Sequence, residues 1–121
     1  MRVLVCGGRD FENREWLYHE LDQLHSEKPI NLIIQGGAVG ADRLAKSWAN
    51  SRYIDWVEVP ADWKVYGKSA GSIRNQRMLD EQKPDLVVAF PGGTGTADMV
   101  KRAMKAGVSV IMVGNIEGVL F

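Results

Sequence analysis

The chain has 121 residues, 45% of them hydrophobic and 25% charged, the size and composition of one ordinary globular domain. Fifteen basic and fifteen acidic side chains cancel, so no bulk charge draws the protein to nucleic acid or to an acidic membrane. The N-terminus runs straight into Val3-Leu4-Val5-Cys6, without the long apolar stretch of a signal peptide or membrane span, and a single cysteine permits no internal disulfide; a cytoplasmic protein is the expectation.

In chain order, short apolar runs alternate with helical patterns. Val3 to Cys6 reads as a first strand, with Cys6 its buried end, followed by Gly7-Gly8-Arg9-Asp10. Glu12 to His25 is a helix, with Trp16, Leu17, Leu21 and Leu24 at helical spacing. Asn31 to Gln35 is a second strand ending in Gly36-Gly37, and Ala41 to Arg52 a second helix. Ile54 to Val59 is a third strand, stopped by Pro60, and Ala61 to Gly71 is irregular. Ser72 to Gln82 is a third helix, ended by Lys83-Pro84. Leu86 to Phe90 is a fourth strand, Ala97 to Ala106 a fourth helix capped by Gly107, and Val108 to Val113 a fifth strand. The tail, Gly114 to Phe121, adds a short strand or packs loosely.

This order predicts an α/β fold, a Rossmann-like three-layer α/β/α domain with a mostly parallel five-stranded sheet. Ligands of such sheets bind beyond the carboxyl ends of the strands. Three glycine turns, at Gly7, Gly36 and Gly92, fall at that edge. The most telling is Pro91-Gly92-Gly93-Thr94-Gly95-Thr96, between a strand and a helix. There the free N–H groups of a first helical turn, the helix dipole and two threonine hydroxyls make an anion site. A phosphate-bearing small molecule, foremost a nucleotide, is the expected ligand.

Familiar phosphate and metal motifs are missing. Gly7-Gly8-Arg9-Asp10-Phe11 is not the Gly-x-Gly-x-x-Gly of dinucleotide enzymes, and the turn from Gly36 to Asp42 lacks the lysine and hydroxyl of a P-loop. One cysteine and two histidines six residues apart make no zinc set. No cofactor and no metal are expected. Arg9 either holds a phosphate or pairs locally, and Asp42 either complements the dipole of its helix or serves the ligand. Arg74, Asn75 and Arg77 crowd a helix start, where arginine is unfavourable for the dipole, which invites a binding role. Trp63 either stacks on a base or covers a core edge. Lys101, Arg102 and Lys105 read as a solvated face.

As an ordered set, Gly7-Gly8-Arg9-Asp10, Gly36-Gly37-Ala38-x-Gly40-Ala41-Asp42, Pro60-Ala61-Asp62-Trp63, Ile73-Arg74-Asn75-x-x-Met78-Leu79 and Pro91 to Thr96 resemble the YspA-like (cpYpsA-related) branch of the SLOG superfamily. That superfamily includes the lonely-guy (LOG) phosphoribohydrolases, the DNA-processing protein DprA and nucleotide-sensing domains. The resemblance implies a pocket for a nucleotide or nucleotide-derived ligand such as a nucleoside monophosphate, ADP-ribose, NAD or a cyclic relative. In it Pro91 to Thr96 would cradle a phosphate, Gly36, Gly37 and Gly40 would line the ribose or a second phosphate, and Arg9 and Arg74 would add charge-assisted contacts.

Lonely-guy enzymes hydrolyse nucleotide N-glycosidic bonds with a Pro-Gly-Gly-x-Gly-Thr-x-x-Glu signature and a catalytic arginine. Arg74 matches the arginine by position, whereas Met99 stands where the glutamate would be, and a thioether moves no proton. Asp98, its neighbour, is the substitute acid if the protein is an enzyme, or else an acceptor for ribose hydroxyls; Asp42 is the alternative acid. Three functions follow: a sensor or sequestering binder, an N-glycosidase, and single-stranded DNA binding, the last disfavoured by the neutral charge. Analogy with lonely-guy proteins also implies a homodimer.

Overall fold

A computed structural model of the protein describes residues 1–114. Five strands, β1 (Arg2–Cys6), β2 (Leu32–Gln35), β3 (Asp55–Glu58), β4 (Leu86–Ala89) and β5 (Ser109–Met112), alternate with helices α1 (Arg14–Glu27), α2 (Ala41–Ser51), α4 (Ala70–Gln82) and α5 (Thr94–Lys105). One short turn of helix, α3 (Trp63–Tyr66), and a 3₁₀ turn, Gly67–Ser69, lie between β3 and α4. The sheet order is β3-β2-β1-β4-β5 and every pairing is parallel. The Rossmann-like α/β fold expected from the sequence is the fold observed.

Side chains of a strand point alternately to its two faces. Along β1, Val3 and Val5 join Leu17, Leu21, Trp48 and Phe90 on one face. Leu4 and Cys6 join Met78, Met99 and Val100 on the other. The sheet is therefore covered by α1 and α2 on one side and by α4 and α5 on the other. Central β1 and β4 are apolar almost throughout, whereas β3 and β5, at the edges, keep exposed residues. Trp48 is fully buried, and its indole N–H donates to Asp22 at 2.9 Å, linking α2 to α1.

Several boundaries differ from the sequence reading. α1 starts at Arg14, two residues inside the expected start, because the Asn13 side chain caps it by accepting from the Trp16 amide. The stretch from Ala61 is not wholly irregular: Asp62 caps α3 by accepting from the Val65 amide, and α4 begins at Ala70 rather than Ser72. α5 begins at Thr94 rather than Ala97, with Gly93 as N-cap, so Thr94, Gly95 and Thr96 form its first turn. Gly107, at φ 77°, follows the cap residue Ala106 and supplies the left-handed residue that ends α5. The tail beyond Gly114 lies outside the described residues. Among the described residues no helix is long and apolar enough to cross a membrane.

Candidate functional site

The chain builds β1, β2 and β3 outward on one side, then returns to add β4 and β5 on the other. The reversal falls between β1 and β4, and the crevice beyond their carboxyl ends is where such sheets bind ligands. The turns after β1 and β4 meet there. The Gly8 amide donates to the Pro91 carbonyl at 2.8 Å, and a Cβ on Gly92 would lie 2.6 Å from the Gly8 nitrogen and strike the Thr96 hydroxyl. The turn after β2 leans on the same place. Gly40 has φ 85°, its neighbour Ala41 donates to the Gly8 carbonyl at 3.3 Å, and a Cβ on Gly40 would collide with that carbonyl.

Beside these contacts lies a cavity of about 250 Å³. Its walls include Gly7, Gly8 and Arg9 from the first turn, Asp42 and Asn75 from α2 and α4, and Gly93, Thr94, Gly95 and Thr96 from the start of α5. A second cavity, about 310 Å³, shares Arg9 and Ala38 with the first and adds Gly36, Gly37, Trp63 and Arg74. Pro91 and Gly92 border neither; with Phe11 and Trp16 they line a third hollow of about 590 Å³.

The three turns differ in which amides remain free. Those of Gly36 and Ala38 donate to Asp42 Oδ2 at 3.1 and 3.3 Å, and that of Gly37 donates to the Gln35 side chain. The Gly8 amide is taken by Pro91. Among the described residues nothing accepts from the amides of Thr94, Gly95 or Thr96. Thr96 is only 4% exposed, borders the first cavity, and its hydroxyl makes no hydrogen bond among the described residues. Gly93 and Gly95 have open space where a Cβ would stand, and neither has positive φ. No internal packing requires glycine there, whereas a ligand brought close to the backbone would.

Charge is arranged around this turn. Asp42 is 7% exposed, and burial pushes its carboxyl up to about 6 against the opposing pull of the Ala38 and Gly36 amides and the Arg74 charge. Burial lowers Arg74, and the neighbouring Arg9 acts in the same direction while Asp42 opposes it. The Arg74 guanidinium donates to the Gly36 carbonyl at 2.8 Å and to Asn75 Oδ1 at 3.1 Å. The Arg9 guanidinium stacks over the Trp63 ring, 5.7 Å from its centroid. Asn75 in turn donates to the Gly95 carbonyl and, at 3.0 Å, to Asp98.

Asp98 departs from its expected place. Its carboxylate accepts from Asn75 and, at 2.9 Å, from Arg102, and it borders neither cavity. It ties α5 to α4 and positions Asn75. Arg102 is correspondingly half-buried and reaches Gln76 at 3.1 Å, rather than joining a solvated face with Lys101 and Lys105. Arg77 points away and pairs with Glu81. Met99 is fully buried in the core and borders neither cavity.

The floor of the first cavity, Val5, Cys6 and Met78, is absent from the sequence reading of the site. The alternation of β1 already placed Cys6 opposite Val5. Burial raises the Cys6 thiol far above neutrality, so it is wall and not nucleophile.

Comparison with known proteins fits this architecture. A family model described as "YspA, cpYpsA-related SLOG family" matches residues 1–66. The Gene 61 protein of Mycobacterium phage D29 is 36% identical over 122 residues, covering 94% of this chain and 97% of that protein. The X-ray structure of TM1055 has a TM-score of 0.68 at 20% identity, covering 90% of this chain and 71% of that one. Acinetobacter baumannii MurG gives 0.56 at 12% identity, over 92% of this chain and 34% of its own. At those identities the two structures are likenesses of fold. The family model spans more than half of the sequence and the phage relative nearly all of it: the chain belongs to the YspA, cpYpsA-related SLOG family.

Proposed function

We propose that the protein binds a nucleotide or nucleotide-derived small molecule, with a phosphate on the first turn of α5, and acts as a sensor or sequestering protein. One observation carries this: the amides of Thr94, Gly95 and Thr96, unpartnered among the described residues, and the Thr96 hydroxyl open onto a cavity at the point where the strand order reverses. Main-chain donors at a helix start suit a phosphate, and Gly93 and Gly95 leave it room. The Asp42 carboxylate suits ribose hydroxyls in the same cavity, and Trp63 offers a base a stacking face. The buried Cys6 needs no oxidising compartment, and we propose a cytosolic protein. A homodimer, proposed on the likeness to lonely-guy proteins, is tested by sedimentation.

The test is a thermal-shift panel of nucleotides and NAD derivatives. A ligand at about a hundred times its dissociation constant adds roughly 2.7 kcal/mol of stability. At least one adenine nucleotide is expected to raise the melting temperature, and Gly93→Val, whose Cβ stands in open space on the approach, is expected to weaken the effect. A flat panel overturns the proposal.

A second reading, nucleotide N-glycosidase, draws on Asp42 rather than Asp98. A carboxyl held near 6 inside the cavity is suited to donate a proton to a departing base near neutral pH. Free base and ribose 5-phosphate appearing with the native protein, and not with Asp42→Asn, would promote this reading. Their absence across the panel leaves binding alone.

A further inference from the structure

Resting on the nucleotide reading, we infer that the ligand carries two anionic groups: one on the first turn of α5, and a second in the neighbouring cavity between the guanidinium groups of Arg9 and Arg74.

The four ion pairs among the described residues lie elsewhere, so neither Arg9 nor Arg74 has a carboxylate partner in contact. Both nevertheless border one cavity, and the Arg9 charge disfavours that of Arg74. Two like charges facing a common hollow are a cost that a bound anion removes. Asp42 offsets part of the Arg74 charge, but its Oδ2 is engaged by two amides and it lines the first cavity, not the second. The Arg9 side chain makes no hydrogen bond among the described residues; its guanidinium lies over the Trp63 ring.

Arg74 is prepared for such a guest. The Gly36 carbonyl and Asn75 hold two of its three nitrogens, and Nη2 has no partner among the described residues. Gly36 leaves room for this placement, because a Cβ there would collide with the guanidinium. Fixing the planar fork beforehand reduces the entropy lost when it grips an oxyanion. Arg9 borders both cavities and so spans the two anionic groups. The predicted ligand class is therefore a nucleoside diphosphate, a diphosphate-linked nucleotide or a nucleoside bisphosphate, in preference to a monophosphate.

Calorimetric titration of the intact protein with AMP, ADP, ADP-ribose and adenosine 3′,5′-bisphosphate tests this. At least one of the last three is expected to bind ten times more tightly than AMP or better. Arg74→Ala is expected to reduce that ratio to near one. Because Arg74 also braces the Gly36 turn, Arg9→Ala is the companion variant: Arg9 is exposed and braces nothing, and the ratio is expected to fall there too. If all four ligands bind equally, or the preference survives both arginine variants, the second anion site is refuted and the nucleotide reading stands. If none binds, both fall.

Discussion

Asp42 does two opposed things. It gathers the Gly36 and Ala38 amides on one oxygen, shaping the turn after β2, and it puts a carboxyl in a nearly dry cavity wall. Its value in the folded protein is about 6 against an ordinary 3.8, so the native state holds this proton more tightly than the unfolded chain does. The associated stability is complete below pH 3.8 and is lost as the pH rises through 6. Between pH 5 and pH 7 the native protein is expected to lose about 1 kcal/mol from this group. Asp42→Asn keeps the shape without the charge and is expected to lack that slope in urea titrations at the two pH values. An identical slope in both proteins would show that Asp42 does not titrate there. Asp22 acts in a separate window, because its hydrogen bond from Arg52 holds it below 3.8. The sequence allowed Asp42 either a dipole role or a ligand role; that its first task is to cap a preceding loop depends on a fold that brings residues 36 and 42 face to face. Asp98 misled for a related reason: Arg102 is its i,i+4 partner on the same helix, but Asn75 claims it across a helix interface that no spacing in one segment reveals.

The start of α5 exchanges stability for access. Glycine within a helix costs roughly 0.5–1 kcal/mol relative to alanine, and Gly95 sits in the first turn with nothing near its absent Cβ. Gly95→Ala is expected to stabilise the protein by about that amount and, by crowding the amides, to weaken phosphate-ligand binding roughly tenfold or more. Denaturant midpoints and ligand titrations on one preparation check both halves. A stabilised variant with unchanged affinity would remove the amides from the binding account. The glycine-rich turn was legible in the sequence as an anion site, but its extent was not. Thr94, Gly95 and Thr96 are poor helix formers and read as loop, yet burial of Thr96 and of Ala97, Met99 and Val100 beyond it draws the helix back to Gly93. α4 likewise gains two residues, reaching back to Ala70, which is buried against its neighbours.

At the level of the molecule, the fold was legible because its signals repeat. Each inner strand is a short Val/Ile/Leu run, each crossover carries a helical apolar period, and right-handed connections leave few arrangements. The pairing of turns was not legible, because it depends on strand order: only with β1 beside β4 does Gly8 meet Pro91. That clasp has a kinetic consequence. The Phe90 amide bonds the Cys6 carbonyl at 2.9 Å just below it, and Gly40 and Gly92 leave no slack around it. A mouth stitched shut at its hinge has no open and closed forms for a guest to choose between. Stopped-flow mixing should give single-exponential transients whose rate climbs linearly with nucleotide concentration, without a plateau, and variants of the rim should alter residence time far more than capture rate.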